Sequence, residues 1–175
     1  MAVNTADSNL MAANDASPQA SNPVGLQGGR KRIIQDNFEV AAEDVTDIGD
    51  IIRLARVPSN ARLISLQVGN DDLDGGGPTL AADLGLYNSA TDDVVDVDAF
   101  ASASTQLQAA AALTNLIDEA LATAAKLTRV GNRVWEDAGL SADPGGNMDI
   151  AFTLTAAATT PAAGTIAFLI EYVVD

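Results

Sequence analysis

Two apolar, β-branched-rich runs folded about Pro58-Ser59-Asn60, GDIIRLARVPSNARLISLQVG over residues 49–69, commit this chain to β structure. In the second run Ile64, Leu66 and Val68 alternate with Ser65 and Gln67, the period of two expected of a strand with one face buried. Pro58 cannot donate to a ladder and presets a turn, so the two strands are expected to form a hairpin about it. Strand text recurs downstream. Leu80–Tyr87 and a short Asp92–Val97 follow the breaker-rich NDDLDGGGP of Asn70–Pro78. Met148, Ile150, Phe152 and Leu154 alternate with polar or small residues, and Ile166, Phe168, Ile170 and Tyr172 begin a last strand that is apolar on both sides and therefore central. Phe38, Val40 and Val45 open the first packed strand, and Arg133–Glu136 reads as a short strand around Trp135, expected to fill the core. Between Ser102 and Leu127 the period changes. Leu107, Ala110, Leu113, Ile117, Ala120, Leu121, Ala124 and Leu127 recur at steps of three and four, which predicts an Ala-rich helix capped by Ser102, Ser104 or Thr105.

Seven or eight strands parted by Gly, Pro and Asp turns, with one helix, predict a mainly β fold: an antiparallel β-sandwich of jelly-roll type. Helices do not alternate with strands, which argues against parallel α/β. The domain is expected over residues 36–175. Residues 1–35 are expected to form a flexible N-terminal arm, because residues 1–30 hold only Leu10, Met11, Val24 and Leu26 as larger apolar side chains and cannot offset their ordering entropy. Extended, 30 residues reach about 100 Å.

Composition removes whole classes of chemistry. The 175 residues include no Cys and no His, which excludes disulfides, thiolate catalysis, His-dependent triads and the commonest transition-metal ligands. A formal charge of −15 repels phosphate backbones, so direct nucleic-acid binding is not expected. No apolar run reaches membrane-spanning length and no basic-then-apolar leader opens the chain, so neither membrane insertion nor general secretory export is expected. The charge is uneven: residues 1–35 sum to +1 and residues 36–175 to −16. The bases expected to meet partners are Arg30, Lys31 and Arg32, after Gly28-Gly29, and Arg53, Arg56 and Arg62 in the hairpin. The simpler expectation for the hairpin arginines is pairing with the acids of residues 36–50.

Two acidic stretches invite a cation. Asn70, Asp72, Asp74 and Gly75 occupy the first, third, fifth and sixth places of a calcium-loop pattern, but its twelfth place is Ala81 and its flanks read as strands, so a metal-free acidic turn is expected. Asp92, Asp93, Asp96 and Asp98 form a second cluster, and alternation places Asp96 and Asp98 on one face. A glycosidase would hold two carboxylates in a cleft beside aromatics, and aromatic residues are 4% of this chain. No cofactor is expected.

The segment order GDIIRLARVPSNARLISLQVG, LAADLGLYN, VVDVDAFASA and RVWEDAGLSADPGGNMDIAFTLTAAATTPAAGTIAFLIEYVVD resembles tailed-bacteriophage virion proteins, specifically head decoration or cement proteins with jelly-roll-like β domains, over about residues 45–175. The Ala-rich helix reads as an insertion relative to their simplest members. The resemblance implies a non-enzymatic virion protein on the capsid exterior, present in many copies, binding the major capsid protein and associating with itself as a homotrimer. Two other readings follow from the residues: a tail or fibre component whose jelly roll binds a receptor or glycan, and a calcium-dependent hydrolase built on the two Asp clusters.

Overall fold

The structure is a computed structural model that describes Pro18, residues 29–117 and residues 131–174. Eight strands are present among these residues: β1 (Lys31–Val40), β2 (Ile51–Pro58), β3 (Ala61–Asn70), β4 (Ala81–Asn88), β5 (Val94–Ser104), β6 (Ala111–Asn115), β7 (Asn147–Ala156) and β8 (Gly164–Val174). They form two four-stranded sheets, ordered β1-β8-β3-β6 and β2-β7-β4-β5, with every pair antiparallel. Consecutive strands change sheet at every step except β4 to β5. That alternation makes the sandwich a jelly roll, as the turn spacing predicts. β8 and β7 are central, consistent with their apolar text.

The inner faces meet in one core. Leu66 and Val68 of β3 and Ile166, Phe168 and Ile170 of β8 face Leu84, Leu86, Ile150, Phe152 and Leu154 of the other sheet, all essentially inaccessible. Each such side chain contributes about 2 kcal/mol by leaving water. Phe38 closes the β1 side, its ring edge-on to Phe168 at 6.5 Å, and Trp135 packs against the core from its margin.

Several expectations are corrected. The two runs about Pro58 are strands, but not a hairpin. β2 pairs with β7 while β3 pairs with β8 and β6, so Pro58–Ala61 is an arch from one sheet to the other. The arch is pinned by Ser59, whose N–H donates to the Gly146 carbonyl (3.0 Å) and whose hydroxyl donates to Asp143 (2.6 Å). That hydroxyl, then the Gly145 N–H, holds the Asp143 carboxyl below the usual range. Ile64 is exposed rather than inward with Leu66, because a bulge between Leu63 and Ser65 shifts the register by one residue. The helix expected over Ser102–Leu127 is replaced, as far as Asn115, by the end of β5, a 3-10 turn (Gln106–Gln108) and β6; residues 118–127 lie outside the described residues. Thr105 flanks that turn but makes no side-chain cap. The strand expected at Arg133–Glu136 is instead a single helical turn, α1 (Val134–Asp137), with the Glu136 carboxylate accepting the Arg133 N–H at 2.6 Å. β5 runs to Ser104, well past Val97. β1 starts at Lys31, so residues 31–35 belong to the sheet rather than to the arm; most of the arm lies outside the described residues.

β4 and β5 pair irregularly. Leu84 stands opposite Ala101 and Leu86 opposite Asp96, so β5 arches out between them. The arch lies directly on Gly85, where a Cβ would sit 2.2 Å from the carbonyl oxygens of Asp96 and Val97. Glycine is required at that position by close backbone approach.

Candidate functional site

The outer face of the β2-β7-β4-β5 sheet carries a compact ionic cluster. Strict alternation places Arg53 and Arg56, three residues apart, on opposite faces of β2. A register shift between Arg53 and Ala55 returns both to the outer face, opposite Ala151 and Asp149 of β7. The Arg56 guanidinium grips Asp149 with two parallel bonds, Nε to Oδ1 at 2.6 Å and Nη2 to Oδ2 at 2.9 Å. Arg53 donates from Nη1 to Asp92 at 2.8 Å and lies 3.9 Å from Asp149. The side chain of Asp149 is only 6% exposed, whereas those of Arg53 and Arg56 are 42% and 53% exposed. The hydrogen bond and charge of Asp149, with a smaller contribution from Asp92, raise the Arg56 pKa above its ordinary value despite partial desolvation. Tyr87 lies opposite Asp149 on β4, and its hydroxyl is hydrogen-bonded to the Thr153 hydroxyl.

Arg53 and Arg56 are therefore ion-paired, but with Asp149 and Asp92 rather than with acids of residues 36–50. Two of those acids are committed locally: Asp44 accepts the Ala41 N–H and Asp50 the Asp47 N–H, each at 3.0 Å. Arg62 does not join them. It lies on β3 in the opposite sheet and is 8% exposed. Arg30, Lys31 and Arg32 lie together at the start of β1, exposed on a sheet edge. Lys31 Nζ donates to Glu171 at 2.8 Å, and neither Arg30 nor Arg32 has an ion pair among the described residues.

The calcium-loop residues are used as structural acceptors and donors. Asp74 is buried, and its carboxylate accepts the N–H groups of Thr79 (2.6 Å), Leu80 (3.0 Å) and Thr160 (2.8 Å), tying the turn to the β7–β8 connection. Burial pushes its carboxyl up, but the N–H groups of Thr160, Thr79, Leu80 and Thr159 outweigh that and hold it below the usual carboxylate range. Asp72 accepts the Asp74 N–H (3.0 Å), and the Asn70 amide bridges the Asp71 and Ala109 carbonyls to Gln106. Among the described residues no group of three or more acidic side chains converges on a metal-sized point, at this turn or at Asp92, Asp93, Asp96 and Asp98. A cleft of about 480 Å³ opens between the β4–β5 loop and the segment before β7, with Ser89, Asn147, Leu140 and Met148 on its walls. No ionisable side chain lines it, so its walls hold no acid–base pair.

The partner that sequence reasoning missed is Asp149. Its signal was a lone carboxylate inside the apolar run Met148–Leu154, where an outward charge on a central strand needs a cation beside it.

No protein-family model matches the chain, and no curated protein matches it. Solved structures do. A chain from the capsid of Ralstonia phage GP4 superposes with a TM-score of 0.58 at 23% identity, covering 82% of this chain and 85% of that one. A chain from the cyanophage Pam1 capsid asymmetric unit gives 0.54 at 18% identity, covering 91% and 97%. At these identities the likeness is one of fold, and it extends over more than four fifths of each chain.

Proposed function

We propose that the chain is a structural component of a bacteriophage virion, a decoration protein that binds the major capsid protein lattice on the head exterior and stabilises it. The observation that carries this reading is the fold shared, over more than four fifths of each chain, with chains from two phage capsids. The side-chain inventory suits a part made for contact: the chain holds no His or Cys, and the Asp74 oxygens are engaged by main-chain donors. An acidic body suits the outside of a DNA-filled shell better than its inside. Many copies on one lattice make individually weak contacts strong together, and in this reading the copies associate as homotrimers. The residues before β1 act as the arm, reaching onto the shell or onto sister copies, where ordering extends the contact area of a small domain.

The test is to mix purified protein with heads that lack it. Saturable co-sedimentation and a higher temperature of head rupture are expected; no binding overturns the reading. Because β1 begins at Lys31, a deletion of residues 2–28 spares the sheet. The truncated protein should fold and lose head binding, and normal decoration by it would refute the role of the arm. A tail or fibre component would instead place label at the tail of intact particles.

A further inference from the structure

The two long edges of the sandwich are opposite in charge. β5 connects to β6 through only the short 3-10 turn at Gln106–Gln108, so β5 and β6 line the same side of the molecule. β1, the other edge of the β6-containing sheet, therefore lies on the opposite side. Among the described residues β1 pairs only with β8 and β5 only with β4, which leaves one row of main-chain donors and acceptors open on each. The β1 edge begins with Arg30, Lys31 and Arg32 followed by Ile33, an apolar side chain 54% exposed; its acids, Asp36 and Glu39, lie towards the Val40 end. β5 is preceded by Asp93, beside Asp92 whose charge is already met by Arg53, and it opens with Val94, 53% exposed, before Asp96 and Asp98. Each edge thus offers an apolar residue beside charges, and the signs are complementary.

We propose that the β1 edge of one copy docks against the β5 edge of a second copy, joining copies head to tail. The inference rests on the self-association within the function proposed above and assigns it a surface. A chain of charge −15 repels its own copies in most orientations. Bringing the Arg30–Arg32 end of β1 to the acidic start of β5 is the approach in which opposite charges meet, and the stretch of β5 before its arch, Val94–Asp96, then pairs main chain with the start of β1. Because the two edges are different surfaces on opposite sides, the contact is heterologous rather than an isologous pair, and the homotrimer proposed above requires that its rotation close into a ring.

Sedimentation equilibrium of the full chain tests this with two charge-reversed variants, Arg30→Glu with Arg32→Glu, and Asp93→Lys with Asp98→Lys. All four positions are exposed and outside the core. Each variant alone should associate about tenfold more weakly or worse, and a chain carrying all four reversals should recover association because each reversed edge then meets a reversed complement. Asp93→Lys with Asp98→Lys reduces the net negative charge, so a general charge effect would strengthen association where the edge contact weakens it. Wild-type protein that stays monomeric, variants that associate as tightly as wild type, or a fourfold-reversed chain that fails to recover would each overturn the proposal. Head binding is read separately: a chain that associates through these edges yet does not bind heads refutes the proposed function and upholds the interface, and a monomer that decorates heads does the reverse.

Discussion

At the scale of single residues, the structure depends on a few positions where the backbone needs something particular. Asp74 is one. Asp74→Asn would set an NH2 group against main-chain donors that now point at a carboxylate, costing about 3 kcal/mol. Its pH dependence has a definite sign. The folded-state pKa is lowered, so the stabilisation is complete above the unfolded carboxyl pKa of about 3.9 and fades as pH falls towards the lower folded value. Urea titrations of wild type and Asp74→Asn should therefore differ most near neutrality and converge in acid; a constant gap would refute the role of the carboxylate charge. Ala103 is a second such position. It sits in the left-handed region at φ 49°, exposed, with its N–H held by Asp83. Ala103→Gly relieves that strain, offset in part by greater freedom of the unfolded chain, for a net gain of about 0.5 kcal/mol. A lower melting temperature for this variant would contradict it.

At the scale of elements, alternation was legible and bulges were not. The inward residues of β7 and β8 follow from period two alone, because both strands are central and regular on their core side. Ile64 is misread by the same rule, since the register shift at Leu63/Ser65 is set by a partner strand, and a like shift at Arg53/Ala55 brings Arg53 and Arg56 to one face where alternation alone would part them. The Pro58 turn was located correctly and its topology was not: a Pro-Ser-Asn break looks alike whether the next strand returns to the same sheet or crosses to the other. The predicted helix failed because steps of three and four among its apolar residues do not mark one buried face: Leu107 is buried in the 3-10 turn, while Ala110 and Leu113 are exposed. In β5, Ala99 lies inside the arch, where its small side chain lets β5 fold closely over β4. Gly85 is the counterpart on β4. Gly85→Ala should destabilise the fold by about 3 kcal/mol or more, as main-chain carbonyls 2.2 Å from the new Cβ cannot swing aside like a side chain. A stability unchanged by that substitution would mean that the arch is not packed as described. In the ionic cluster, the chemistry of Arg56 was visible in sequence, while its partner was hidden by 93 residues of separation. Arg56→Lys loses the two-pronged grip on Asp149 and should lower the melting temperature, and Arg56→Met should lower it further by leaving Asp149 with Arg53 alone.

At the scale of the whole molecule, fold class was readable because a jelly roll is a pattern of many short strands and turns, and such a pattern survives individual errors. The surface was less readable. Segment charges showed an acidic body and a basic stretch near residue 30, but only the sheet order reveals that this stretch and the Asp92–Asp98 acids occupy opposite edges. The same order separates Arg62 from Arg53 and Arg56, so the three do not form the common patch expected of a hairpin. What remains is an acidic sandwich with complementary edges and a preceding segment of nearly 30 residues, consistent with an adhesive part of a larger shell. Cryo-electron microscopy of the assembled particle, with this chain labelled, tests that account most directly. Label repeated across the outer surface of the head in register with the capsid lattice is the predicted result; label confined to the tail, lying inside the shell, or missing from the particle would contradict it.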